Sequence, residues 1–151
     1  SPKAGAQINI GSLNINILPM VQQQDFDKIL WLADINIVRG EDSLVRAHWA
    51  HKPFFWHIYP QQDHAHLTKL DAFWQKVYVS FSPGLKKAHQ ALSLELNQAV
   101  QLSTQERYLH WQQLFEHDQL WQQDQKKWTE KQNIMQNLAE KLVNLAQNSL
   151  K

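Results

Sequence analysis

Between Ile8 and Tyr59, short apolar runs and stretches of helical periodicity take turns, and no other feature narrows the possible folds as much. In "LNINIL", Leu13, Ile15 and Ile17 alternate with Asn14 and Asn16, the two-residue period of a half-buried strand, and Pro19 stops it. Asp25 is placed to cap a short helix whose apolar face is Phe26, Ile29, Leu30 and Ala33. "INIV" at 35–38 is a second strand. A second helix runs from Glu41 to Ala50, offers Leu44, Val45 and Ala47 for burial, and ends ahead of Pro53. "PFFWHIY" at 53–59 is the third strand. Strands spaced by helices of about ten residues predict βαβ units and an α/β fold with a parallel sheet. Three parallel strands leave two open edges, so either the rest of the chain covers them or further strands lie upstream in a longer polypeptide.

After Pro60 the strand signal disappears. Leu67, Leu70, Phe73 and Val77 mark one helix, and Ser82-Pro83 opens another through Leu85, Ala88, Leu92 and Leu96. Ser103 and Glu106 have capping-box spacing ahead of a long helical pattern that carries Leu114, Trp121 and Trp128 seven residues apart. A last helix is striped by Ile134, Leu138, Leu142 and Leu145. The Gln-rich stretch from Gln112 to Gln132 has an aromatic stripe, which predicts a packed helix rather than a low-complexity tail; a partner-binding groove is the alternative for that stripe. A soft boundary near Asp63 divides an α/β part, residues 1–62, from a helical part, residues 63–151, packing on it.

Charge names no partner. Fifteen Lys and Arg against 14 Asp and Glu give a formal net charge of +1, too balanced for the footprint of a nucleic-acid or acidic-membrane binder. With no Cys there are no disulfides and no thiolate zinc sites, no apolar run reaches membrane-spanning length, and the start "SPKAGAQ" lacks a signal-peptide core, so the expected location is cytoplasmic. The chain begins at Ser1 and enters a strand pattern almost at once, which reads as a piece of something longer.

The chemistry-bearing residues gather at one strand-to-helix corner, "RGEDS" at 39–43. In open parallel sheets ligands bind beyond the carboxyl ends of the strands, where the next helix presents unpaired amides and its positive dipole end. Gly40 lets the backbone turn and approach a ligand, Arg39 is a bidentate phosphate donor, and Ser43 adds a hydroxyl. Glu41 suits sugar hydroxyls, so phosphate and sugar together suggest a nucleotide. The residues alone leave a plainer account open: Asp42 or Ser43 caps the helix and Arg39 pairs with a nearby acid. Arg46, one turn on, either makes a helix-surface ion pair or reaches a diphosphate.

The segment Leu18–Gln61, and above all "RGEDS.VRA.WA.KPF.WHIYPQ", closely resembles the protein-arginine rhamnosyltransferases that modify bacterial elongation factor P. The resemblance covers the α/β part closely and the helical part more loosely. It implies the GT-B arrangement of two facing Rossmann-like domains, with this chain as the C-terminal, donor-binding portion of an inverting, metal-independent enzyme. That enzyme moves rhamnose from dTDP-β-L-rhamnose to an arginine of elongation factor P and needs no cofactor. By resemblance Arg39, Asp42 and Ser43 lie around the diphosphate, Glu41 is the acid important for activity, and Met20 and Gln23 meet the thymine. The family tends to place an aromatic ring near Met20, where a thioether stacks less specifically. The acids that activate the acceptor arginine belong to the family's N-terminal domain, which these 151 residues do not include. A protonated guanidinium is a poor nucleophile, so this portion alone is expected to be inactive.

Other features carry less. His48, His51, His57, His64 and His66 crowd together, but no pair has a third ligand at dependable spacing, and a structural role fits them better than a metal site. No "GxSxG", "GxxxxGK[ST]" or "GxGxxG" motif is present. Two further function classes remain beside the transferase: a stand-alone nucleotide or anion-binding module, and a helical interaction protein working through the Trp- and Gln-rich tail.

Overall fold

A computed structural model of the chain describes residues 3–133 and, beyond them, positions 143, 145 and 147. Two β-strands come first, β1 (Gln7–Ile10) and β2 (Leu13–Asn16), then α1 (Gln23–Leu32), β3 (Asn36–Val38), α2 (Glu41–Trp49) and β4 (Phe54–Trp56). The α-helices that follow among the described residues are α3 (Ala65–Val77), α4 (Pro83–Leu96), α5 (Thr104–Glu116) and α6 (Asp118–Asn133). The architecture is α/β with helices predominating.

The parallel sheet has two strands rather than the three expected. β3 and β4 pair in parallel through α2, with Asn36 opposite Phe54, Ile37 opposite Phe55 and Val38 opposite Trp56. The "LNINIL" segment instead forms an antiparallel hairpin with β1, separate from that sheet, and all eight strand residues of the hairpin are exposed. Its tight turn explains the pairing: Ile10 faces Leu13 across Gly11 and Ser12, and Gly11 takes the left-handed φ of 59° that such a turn needs at its first central position. A period of two declares a strand but not its neighbour.

β4 is buried on both faces, which is why "FFW" shows no polar alternation. Phe54 and Trp56 pack against Phe73 and Trp74 of α3 on one face, with ring centroids 5.3–6.3 Å apart. Phe55, on the other face, stacks at 4.2 Å on His89 of α4 and meets Trp111 of α5 and Trp121 of α6 edge-on. The helical part is thus the second half of one core. Leu114, Trp121 and Trp128 are buried, so the stripe is core as expected. The long pattern that carries them is broken, however, at His117 into α5 and α6.

Helix starts follow the predicted punctuation in part. Ser103 and Glu106 close a capping box at α5, and Pro83 sits in the first turn of α4 after Ser82. Asp25 does not cap α1, which begins two residues earlier at Gln23; it pairs within the first turn with Lys28. Ile134, Leu138 and Leu142 of the predicted last helix lie outside the described residues, while Leu145 is exposed.

The outer edge of β4 is closed by a side chain. Asn97, just past α4, donates from Nδ2 to the Trp56 carbonyl at 2.9 Å and accepts at Oδ1 from the Ile58 N–H at 3.0 Å. It is 94% buried and stands in for a neighbouring strand. Asn97→Ala leaves two buried backbone groups unpaired, so we expect a loss of about 3 kcal/mol in denaturant unfolding. A loss under about 1 kcal/mol would show that water replaces the carboxamide there.

Candidate functional site

β3 ends at Val38, and the chain turns through Arg39 and Gly40 into α2. The plainer account of this corner, a side-chain cap with Arg39 paired to an acid, does not hold. Gly40 is the N-cap residue and no side chain caps the helix, so the first-turn amides remain open. Asp42 turns toward Arg46, accepting from Nε at 2.9 Å. Arg39 lays its guanidinium over the Tyr59 ring, 4.7 Å from the centroid. The corner is anchored from below: the indole N–H of buried Trp56 donates to the Arg39 carbonyl at 3.0 Å.

An open cleft of about 540 Å³ lies between this corner and the start of α1. Of the predicted site residues, Met20, Gln23, Asp42 and Ser43 line it together, joined by apolar Leu18, Phe26 and Ile29. Met20 is fully exposed at its mouth. Arg39 and Glu41 are not among the lining residues; Glu41 forms an ion pair with Lys69 of α3 beside it. Amides, a hydroxyl and a carboxamide beside an apolar wall suit a ligand with one anionic and one flat apolar part.

Arg46 belongs to the floor of the cleft. Its Nη1 donates to both carboxylate oxygens of Asp27 at 2.9 Å, while Nε serves Asp42, and the Gln23 carboxamide oxygen, in the orientation that satisfies both partners, accepts from Nη2. The Arg46 pKa is raised by these hydrogen bonds, Asp27 first and then Asp42. Of the two alternatives for Arg46, the ion pair is the one observed, and its second acid comes from α1.

His48 and His66 are structural, whereas His51 and His64 are exposed. His48 packs edge-on against Trp128 at 4.4 Å, with burial holding its pKa down to about 4. His57 is half-buried, its pKa lowered by burial and then by the charge of Arg39. Buried His66 accepts at Nδ1 from the Gln61 N–H. Among the described residues no three His, Asp or Glu are grouped to hold a metal, and no helix is long and apolar enough to cross a membrane.

Sequence reasoning missed Lys69, Tyr59, Trp56 and Asp27 as members of the site. Trp56 and Tyr59 lie within the motif but read there as strand residues, Asp27 and Lys69 lie outside it, and only the i, i+4 spacing of Asp42 and Arg46 could be read from the chain itself.

Comparison with known proteins bears on the same region. The sequence profile described as "Elongation-Factor P (EF-P) rhamnosyltransferase EarP" matches residues 1–147. Protein-arginine rhamnosyltransferases are similar: that of Neisseria meningitidis (strain H44/76) is 46% identical over 125 residues, covering 83% of this chain and 33% of the relative. That of Shewanella oneidensis is 47% identical over 110 residues, 73% of this chain and 27% of the relative. That of Pseudomonas putida is 39% identical over 147 residues, 93% of this chain and 36% of the relative. A solved structure described as the structural basis for EarP-mediated arginine glycosylation of translation elongation factor EF-P superposes with a TM-score of 0.78 at 33% identity, over 98% of this chain and 45% of that one. The chain spans about a third of the length of the curated relatives it matches.

Proposed function

The chain belongs to the EF-P rhamnosyltransferase EarP family, and from that premise we propose that it is the C-terminal, donor-binding portion of a protein-arginine rhamnosyltransferase. The enzyme is an inverting, cofactor-free and metal-independent glycosyltransferase that moves rhamnose from dTDP-β-L-rhamnose to an arginine of elongation factor P in the cytoplasm. The observation that carries this reading is the cleft, where Met20 and Gln23 from the start of α1 meet Asp42 and Ser43 from the start of α2. The thymine lies along the apolar wall near Met20 and Gln23, and the diphosphate lies on the open amides of α2 at Asp42 and Ser43, with Arg39 beside it. Glu41, outside the cleft lining, is left for the sugar.

The GT-B arrangement belongs to the same reading. Among the described residues the edge of β3 opposite β4 has no strand beside it, with Ile37 56% exposed, and Ile10 and Leu13 of the hairpin are more than half exposed. These features support a Rossmann-like sheet that continues in strands contributed by the rest of the enzyme. Residues 1–62 supply the donor corner, and the helical part that starts at residue 63 supplies, among the described residues, the layer behind it. A guanidinium nitrogen of the acceptor attacks the anomeric carbon from the side opposite the departing dTDP, and the carboxylate that takes its proton comes from the N-terminal domain. This portion alone is therefore inactive.

Calorimetry with dTDP-rhamnose, dTDP and UDP is the test. In the full-length enzyme we expect dTDP to bind at least tenfold more tightly than UDP, and Arg39→Ala to weaken dTDP at least tenfold, about 1.4 kcal/mol. Equal affinity for the two nucleotides would favour a general anion or nucleotide module instead.

A further inference from the structure

We propose that Arg46, held by Asp27, is a positioning residue that keeps the anion site at the N-terminus of α2 open by drawing the Asp42 carboxylate away from it. The inference deepens the donor-site reading above and rests on it. Asp42 stands at the second position of α2, where a free carboxylate is within reach of the helix's own uncapped first-turn amides. A carboxylate seated there occupies the donors a phosphate needs and repels its charge. In the structure its Oδ2 instead accepts from Arg46 Nε at 2.9 Å.

Arg46 is fixed in turn. Its side chain is 17% exposed, its Nη1 is saturated by both oxygens of Asp27 on α1, and its Nη2 meets the Gln23 carboxamide. With four of its five N–H donors engaged internally, Arg46 has one at most, on Nη2, to offer a ligand in the cleft it lines. It acts through others: on residue 42, which then presents its backbone N–H to the ligand, and on Gln23, whose amide it orients. The Asp27 bond explains why an arginine is required. A single ammonium on a lysine cannot serve two carboxylates and an amide in one plane.

Dissociation constants for dTDP and the kcat and KM for dTDP-rhamnose, measured on the full-length enzyme, test this with Arg46→Gln, Asp42→Ala and the double variant. Arg46→Gln is expected to weaken dTDP binding at least tenfold with kcat changed less than threefold. Asp42→Ala alone supplies the reference affinity against which the double variant is read. The double variant regains most of the lost affinity, a rescue that a merely structural Arg46 would not give. Undiminished dTDP binding by a folded Arg46→Gln enzyme, or a double variant as weak as the single one, overturns the proposal while leaving the donor site standing. If the wild-type enzyme binds no dTDP, the donor-site reading falls and this inference falls with it.

Discussion

Glu41→Gln in the full-length enzyme should lower kcat for rhamnosyl transfer by about two orders of magnitude while changing dTDP affinity less than about threefold. The split follows from where Glu41 sits. It opens α2 next to Asp42 yet does not line the cleft that gathers Gln23, Asp42 and Ser43. Its carboxylate is 71% exposed and paired with Lys69, so in the proposed mechanism its work falls on the sugar and the charge that develops there in transfer, not on the nucleotide. An effect confined to the transition state appears in kcat, and a hundredfold loss corresponds to about 2.7 kcal/mol. The exposed Lys69 pair by itself contributes little stability, so the variant should unfold at nearly the wild-type midpoint. Unchanged turnover would remove Glu41 from the mechanism; lost dTDP binding would move it to the nucleotide.

The second large effect lies in the core. His89 is completely buried, stacked on Phe55, with Nε2 donating to the Phe54 carbonyl at 3.0 Å and Nδ1 accepting from the Tyr78 hydroxyl at 2.9 Å. That tautomer uses both ring nitrogens and requires the neutral imidazole. Burial, only partly offset by the Phe54 bond, holds its pKa down to about 4. Substitution by leucine strands a carbonyl and a hydroxyl, and we expect about 3–4 kcal/mol of lost stability in urea unfolding.

The same geometry sets a pH dependence. Because the folded pKa lies below the unfolded value of 6.5, the stabilisation is complete above about pH 6.5 and is lost as pH falls toward 4, where the unfolded chain binds the proton more readily. His48 adds a slope of the same sign. Urea midpoints measured from about pH 7.5 down to about pH 4.5 should therefore fall, and the slope should be shallower in His89→Leu. A pH-independent midpoint for the wild-type chain would contradict the assigned protonation state.

Part of the cleft lining was legible because motif residues sit on contiguous backbone: a turn that places Asp42 and Ser43 at a helix start places them in the same cleft. Gln23 and Met20 reach that cleft by resemblance and prove to share it. Arg39 and Glu41 do not, since adjacent residues at the start of a helix point in different directions and each found a partner from a distant segment, Tyr59 and Lys69.

Local pattern was enough to determine the βαβ unit, the helical second half, the capping box at Ser103 and the buried Trp stripe, because hydrophobic period and end signals act over one or two helical turns. Tertiary structure alone decided three things: that "LNINIL" turns back on β1, that Asn97 closes the edge of β4 from 41 residues away, and that Asp27 fixes Arg46 from the neighbouring helix. Each depends on which backbone or side-chain group is left without a partner once the core has packed, and that is settled by contacts between segments rather than by anything carried within one of them.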